Sequence, residues 1–342
     1  KGIDNLRDTY FIRVQFHIVR QDDGSGGLNP SLLWPVLETI NGDYSNAGLY
    51  FYHPGEVNFI NSSQYYNCDN DTELNSLRWN NNTPNVMDIF LVNSATSGGT
   101  PICGISAFTF MTYQGIVIAN DCWDNETGSH EVGHYFDLYH THQSPAEYVD
   151  GTSCTYRGDG LCDTPADPDL SIDGMVSPNC VYTGTENNNA TDGHGDHYDG
   201  MVCMAYPPCA TYGGPDTRNY MSYNLWAGCS DNFTDDQDTK VAYIALTERP
   251  NYIVEPDYPV FYLNAVEIEE IEGDNDTVIN PGEAGDIIVS LEIPDFWPTG
   301  AVDVSAILFS EEAGLTITTD EITIPYISPG NVYTNTSNPF SV

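Results

Sequence analysis

Polar and apolar positions change their period several times along this chain, and each change predicts an element. Over residues 10–19 the alternation is strict. Ile12, Val14, Phe16 and Ile18 point one way and Arg13, Gln15 and His17 the other, which predicts a half-buried strand. Asn29-Pro30 then offers a helix start, and Leu33, Val36 or Leu37, Ile40 and Tyr44 recur at helical spacing. Pro35 fits only in the first turn. Short apolar runs at 86–92 and 115–119 predict central strands, and a helix is predicted over 129–139. Strand, helix, strand, strand, helix is an α/β (or α+β) pattern. From 141 to 230 the chain is rich in Gly, Pro, Asp, Asn and Cys with little periodicity, so that stretch needs disulfides or ions to hold it. A last helix is well marked: Thr234 with Gln237 forms a capping box, Val241, Ile244 and Ala245 give an apolar face, and Pro250 stops it.

Beyond Arg249 the pattern becomes short alternating runs, at 260–266, 286–293, 302–309 and 315–324, separated by turn residues at regular spacing. This predicts a small all-β sandwich of Ig-like type. With Pro250 and Pro256 flanking a short linker, the expected domains are 1–250, divided near 140 into N-terminal and C-terminal subdomains, and 251–342.

Composition narrows the class. Nine Lys plus Arg against 50 Asp plus Glu leave a net charge of −41 in 342 residues, which repels phosphates and anionic lipid and argues against nucleic acid as a partner. Disorder is excluded by 40% apolar residues, 23 Tyr and only 17% charged residues. No stretch approaches the apolar length of a membrane span. Nine cysteines suggest an oxidising, extracellular compartment with disulfides and at least one unpaired thiol. The opening at Lys1, without Met, fits a processed secreted form. Strong acidity with scarce Lys suits a secreted protein working in salt water, where screening relieves self-repulsion; a monomer from a bacterial, marine source is expected.

The chemistry is carried by His130-Glu131-Val132-Gly133-His134. On a helix, residues four apart share a face, so His130 and His134 can present two imidazoles to one zinc ion while Glu131 sits beside its open position. His140 supplies a third nitrogen, and three protein ligands leave a position for water, which is the composition of a catalytic site. His142, His194 and His197 read as exposed bystanders.

Residues 130–140 resemble the extended zinc motif of the metzincin metalloproteases. That motif places Gly three residues after the second His, because the helix must end and turn back through positive φ; here the position is Asp137, one of the more tolerant alternatives. Residues 219–223, Asn-Tyr-Met-Ser-Tyr, resemble the Met-turn, which implies that Met221 forms an apolar floor beneath the ligands and Tyr223 stands near the metal. Within the metzincins the likeness is to the pappalysin family. It is carried by residues 138–141, by 158–165, and by two strands, 85–92 and 104–108, the second of which would align substrate. It covers roughly residues 10–250. The family pattern implies Cys180 paired with Cys229, Cys154 with Cys203 or Cys209, and Cys103 with Cys122. It also implies hydrolysis of protein or peptide substrates, with Glu131 as general base and the Tyr223 phenol donating to the oxyanion.

Calcium is a further expectation. Asp274, Asp276 and Glu283 gather oxygens around glycines, as do Asp192, Asp196 and Asp199, with Asp163 a third candidate. Two rival readings stand beside the secreted endopeptidase: a degenerate zinc-containing adhesion protein, and an endopeptidase of another metzincin family. The first acid beyond Tyr223 is Asp231, which points to an apolar pocket behind the Met-turn and cleavage before bulky apolar residues.

Overall fold

The computed structural model describes residues 9–171, 175–184, 191–198, 214–224, 228–256, 259–274, 276, 278–310 and 316–342. The chain divides into two compact units, Lys1–Val254 and Glu255–Val342.

The first unit is built on a mixed sheet. Its strands are β1 (Tyr10–Arg20), β2 (Leu49–Tyr52), β3 (Asn58–Asn61), β5 (Met87–Val92), β8 (Gly104–Ser106), β9 (Ile116–Ala119) and β10 (Ile253–Val254). A smaller three-stranded sheet joins β4 (Asn67–Cys68), β6 (Ser94–Ser97) and β7 (Thr100–Ile102). The main path runs β10-β1-β5-β9-β8, with β2 and β3 also pairing with β1. The β1–β5 and β5–β9 ladders are parallel, whereas β8 runs antiparallel to β9 and ends the path.

Arg13 and Gln15 leave β1 half-buried over its first half, as expected, but its C-terminal half is buried on both faces. Its inward set Ile12, Val14, Phe16 and Ile18 is fully buried, but so are Val19 and His17 on the opposite face. Neighbouring strands and a second helix layer cover that face, and His17 is satisfied there by Asp88 at 2.8 Å and Asn58 at 2.8 Å. Two apolar clusters result, one on each side of the sheet. The larger joins β1, β5 and β9 to α1 (Leu33–Asp43), α4 (Asn125–Tyr135) and α5 (Asp235–Thr247). The smaller joins Val19, Phe90 and Val117 to Leu74 and Leu77 of α3 (Asp71–Asn81), which follows the one-turn helix α2 (Ser63–Tyr66). Each such buried aliphatic or aromatic side chain contributes roughly 1.5–3 kcal/mol relative to exposure.

α1 forms as expected. Asn29 caps a 3-10 turn over Pro30–Leu32, Pro35 falls in the first turn of the helix, and Leu33, Leu37 and Ile40 are buried. α5 carries the expected Thr234–Gln237 capping box and buries Val241, Ile244 and Ala245. α3 was not predicted from periodicity. Its signal is local: the Asn70 side chain accepts from Glu73 N, and Glu73 accepts from Asp69 N.

The units divide between Val254 and Glu255, inside the stretch 250–256 expected to hold the boundary, and that stretch opens with a 3-10 turn, Pro250–Tyr252. Tyr252 packs on the larger cluster and β10 pairs antiparallel with β1. Apolar side chains and backbone pairing thus hold residues 250–254 to the first unit.

The second unit is all-β among its described residues. An antiparallel sheet contains β11 (Tyr262–Glu272), β12 (Ala284–Glu292), β15 (Val332–Thr334) and β16 (Phe340–Ser341), and β13 (Ala301–Ile307) pairs with β14 (Glu321–Ile327). Its buried side chains come from both sheets: Ile288 and Phe340 from one, Ala301, Ile322, Ile324 and Ile327 from the other, with Trp297 between them in sequence.

Three disulfides are described. Cys103–Cys122 and Cys180–Cys229 match the implied pairing. Cys154 instead bonds Cys162, at a Cα separation of 4.9 Å. Positive φ at Gly158 and Gly160 folds this short loop back on itself, so a partner eight residues away is within reach. Cys203 and Cys209 lie outside the described residues. Cys68 is a buried free thiol.

Candidate metal centre

The metal-motif helix is α4, which begins four residues earlier than its apolar pattern suggests. Asp124 caps it by accepting from Thr127 N at 2.8 Å. α4 is fastened to α1 by Tyr44, whose hydroxyl donates to Ser129 O, and by Ser129, whose hydroxyl donates to Asp43. The two helices approach so closely that a Cβ at Gly128 would lie 2.6 Å from Ile40.

α4 ends in a Schellman motif: Leu138 N donates to Gly133 O and Asp137 N to His134 O. Asp137 holds the left-handed position with φ 61°. A non-glycine residue there costs about 1 kcal/mol. Here its carboxylate offsets the cost by accepting from Thr109 N at 2.8 Å and from the Thr109 hydroxyl at 2.5 Å. The turn carries His140 back beneath the helix.

The three imidazoles converge. His134 Nε2 lies 2.9 Å from His140 Nε2, which lies 3.2 Å from His130 Nε2. The other ring nitrogens are engaged with carbonyls, His130 Nδ1 with Tyr220 O at 2.6 Å and His134 Nδ1 with Leu138 O at 2.7 Å. A carbonyl can only accept, so both Nδ1 atoms carry the proton and both Nε2 lone pairs face the common centre. Burial, reinforced for His134 and His140 by the neighbouring imidazoles, pushes His130 down to about 4, His134 to about 3 and His140 lower still. Converging neutral nitrogen lone pairs repel unless a cation lies between them. This donor set therefore fits zinc.

Glu131 is 5% exposed and packs against β8. A Cβ at Gly104 would come 2.5 Å from its Oε1. Among the described residues its Oε2 has no hydrogen-bond partner. Burial pushes the carboxyl up to about 8, opposed by the Arg78 guanidinium. Met221 is fully buried beneath the motif, and a Cβ at Gly133 would meet its sulfur at 2.6 Å. Thr141 N donates to Met221 O, joining the ligand turn to the Met loop. Tyr223 is 42% exposed, its ring centroid 4.4 Å from His140 and 5.7 Å from His130. Burial pushes its phenol up to about 12, keeping it a proton donor.

Three residues of the site were not read from the sequence as parts of it. His142 is no bystander: its ring stacks on His140 at 4.9 Å and meets Tyr223 at 4.7 Å. Asp167, fully buried, accepts from Thr141 and Ser222 hydroxyls and so ties the two loops together. Gln237, also buried, bonds Asn219 at the root of the Met loop. Only His142 gave a sequence signal, its closeness to the motif.

The calcium expectations change. Oxygens of Glu270, Asp274 and Glu283 lie within 4.8 Å of one another. Asp276 is not in that group; its Oδ1 accepts from Val278 N. Asp192, His194 and Asp196 also gather, but Asp192 accepts from Val149, His194 and Asp196 backbone N–H groups; Asp199 lies outside the described residues. Asp163 accepts from the Thr234 hydroxyl and Asp236 N at the start of α5. Backbone donors thus occupy many of the oxygens expected to hold calcium. Of the expected pocket wall, residues 225–227 lie outside the described residues, and Asp231 is paired with Arg218.

No family model matches the chain. It is similar to an extracellular metalloprotease of Podospora anserina, 29% identical over 126 residues, covering 36% of this chain and 30% of that protein. An extracellular metalloprotease of Arthroderma benhamiae is 25% identical over 187 residues, covering 48% and 61%. The chain thus spans between about a third and three fifths of the relatives it matches. These relatives are fungal and lend no support to a bacterial, marine source. Among solved structures, mature mirolysin of Tannerella forsythia in complex with a cleaved peptide aligns at 19% identity and a TM-score of 0.47, over 72% of this chain and 96% of that one. No described helix is long and apolar enough to cross a membrane.

Proposed function

We propose that the first unit is a secreted, zinc-dependent endopeptidase of metzincin type, nearest the pappalysin pattern. The observation that carries this reading is the convergence of three imidazole Nε2 atoms beside a buried carboxylate whose Oε2 has no hydrogen-bond partner among the described residues. A purely structural zinc site has no use for that carboxylate, which weighs against the adhesion-protein reading.

His130, His134 and His140 would hold the ion. Zinc bound there would acidify a water and polarise the scissile carbonyl. Beside the positive charge of an ion held by these imidazoles Glu131 would be ionised; it accepts the water's proton on Oε2 and delivers it to the leaving amine. Tyr223, beside His140, donates its phenolic hydrogen to the developing oxyanion. Met221 fills the floor, keeping the ligand rings fixed and water out. We read the second unit as an accessory β-sandwich, the protein as a monomer, and the pocket behind the Met-turn as apolar.

Replacing the base alone gives the test. Glu131→Ala should retain stoichiometric zinc and its thermal stability while losing casein and peptide hydrolysis by at least about a hundredfold. Comparable hydrolysis by the variant would refute the reading.

A further inference from the structure

The loop that follows β8 presents an aromatic face beside the ligands. Phe108 stacks on Phe110 at 5.5 Å and 16°, lies 5.3 Å from the Tyr139 ring, and lies 5.3 Å from the ring of His134. Phe110 is 70% exposed, and Met111 and Tyr139 are exposed beside it. An exposed cluster of this kind on a secreted catalytic unit calls for an occupant.

The loop is braced on every side. Thr109 is held by Asp137, Ala107 O accepts from Arg249 Nη2, and Arg249 Nη1 donates to Gln114. Gln114 in turn donates to Phe108 O and Met111 O. Tyr139 is backed by Lys240, whose Nζ lies 5.0 Å from the ring centroid. The turn that places the third imidazole therefore also fixes the aromatic face, through Asp137. A platform held this firmly has little entropy to lose when something lands on it.

We infer that this platform is a substrate subsite that selects apolar or aromatic side chains on the N-terminal side of the cleaved bond. The inference rests on the endopeptidase reading. β8 ends its sheet path and lies against Glu131 at Gly104. A peptide adding to this edge in antiparallel sense, the better-paired ladder, runs from the Phe108 end toward Gly104. The bond to be cut then lies at the level of Gly104 and Glu131. Residues preceding it lie toward Phe108, four residues on from Gly104 and just beyond the end of β8 at Ser106, so the platform meets side chains roughly two to four residues before the cut. The occupant is an extended substrate segment, because the platform continues directly from the edge strand and the ligand His134.

Cleavage profiling of a proteome-derived peptide library with the full-length zinc enzyme tests this. Phe, Tyr, Leu or Met should be enriched two to four residues before the cut. For a matched peptide pair differing only by Phe or Ser at the most enriched position, the ratio of kcat/KM should be roughly tenfold or more, and Phe110→Ser should collapse it toward one. Zinc content and melting temperature check that the variant is folded, which an exposed position favours. Cleavage with no apolar selection on that side, selection only after the cut, or an unchanged ratio in Phe110→Ser would each overturn the inference while leaving the endopeptidase reading standing. No hydrolysis by the zinc-loaded wild type would instead overturn the endopeptidase reading. A dimer that Phe110→Ser dissolves would make the face a contact between copies and would also overturn the inference.

Discussion

Gly104→Ala places one methyl group against the residue proposed as the base. In the wild type that Cβ would stand 2.5 Å from Glu131 Oε1 and 2.7 Å from both Cδ and Cγ. Carbon and oxygen not bonded to each other need about 3.4 Å, so the carboxylate must move by about 1 Å. Glu131 is a flexible side chain but buried, with strand β8 on one side and its own helix on the other, so it has to swing rather than recede. Overpacking of this kind costs about 1–3 kcal/mol of stability, which leaves a folded protein. Catalysis is far more sensitive, because a misplacement of 1 Å in a reacting group costs on the order of a hundredfold. The expected outcome is a protein with wild-type zinc by mass spectrometry, a melting temperature lowered by a few degrees, and kcat/KM on a quenched peptide down about a hundredfold. KM should change little, because the methyl group points at the base. Full activity with full zinc would refute the claim that β8 fixes the position of Glu131.

A chain ending after Val254 should fold and bind zinc. One ending at Arg249 loses Tyr252, which packs on Tyr135, and the β10–β1 pairing, and should melt measurably lower or be insoluble; equal stability of the two truncations would contradict this. Burial pushes Glu147 up from 4.5 to about 8 and Asp159 from 3.8 to about 6, with Asp159 and Asp150 adding to the effect on Glu147. Both folded values lie above the unfolded ones, so the favourable contribution is full below about pH 4 and is lost as pH rises through 6 to 8. Glu147→Gln should therefore raise the melting temperature at pH 8.5 relative to wild type and do little at pH 5, and a pH-independent effect would count against it. Cys68, its thiol pushed up to about 12 by burial, should be alkylated only in denaturant, as peptide mapping by mass spectrometry can show.

Some of this molecule was legible one residue at a time. Helix α5 could be read from its capping box and apolar face, and the two imidazoles of α4 from their spacing, because both features are set within a few consecutive residues. Asp137 at positive φ was legible for the same reason: a turn needs a tolerant residue at one known place. The distribution of metal-ligand protons was not legible. It depends on Tyr220 O and Leu138 O, and Tyr220 stands 90 residues from His130. Nor was the second buried face of β1, since the cover over His17 and Val19 comes from other strands and from α3. His142 could be placed only once its ring was seen stacked on His140. Cys154 found its partner eight residues away because glycines turned the loop, where a pairing pattern suggested a distant one. Local spacing and backbone preference act within one turn or strand and are written in the sequence itself. Burial, partner choice for a polar atom and the edge on which a strand ends are set by residues far apart in the chain, and only the folded structure brings those together.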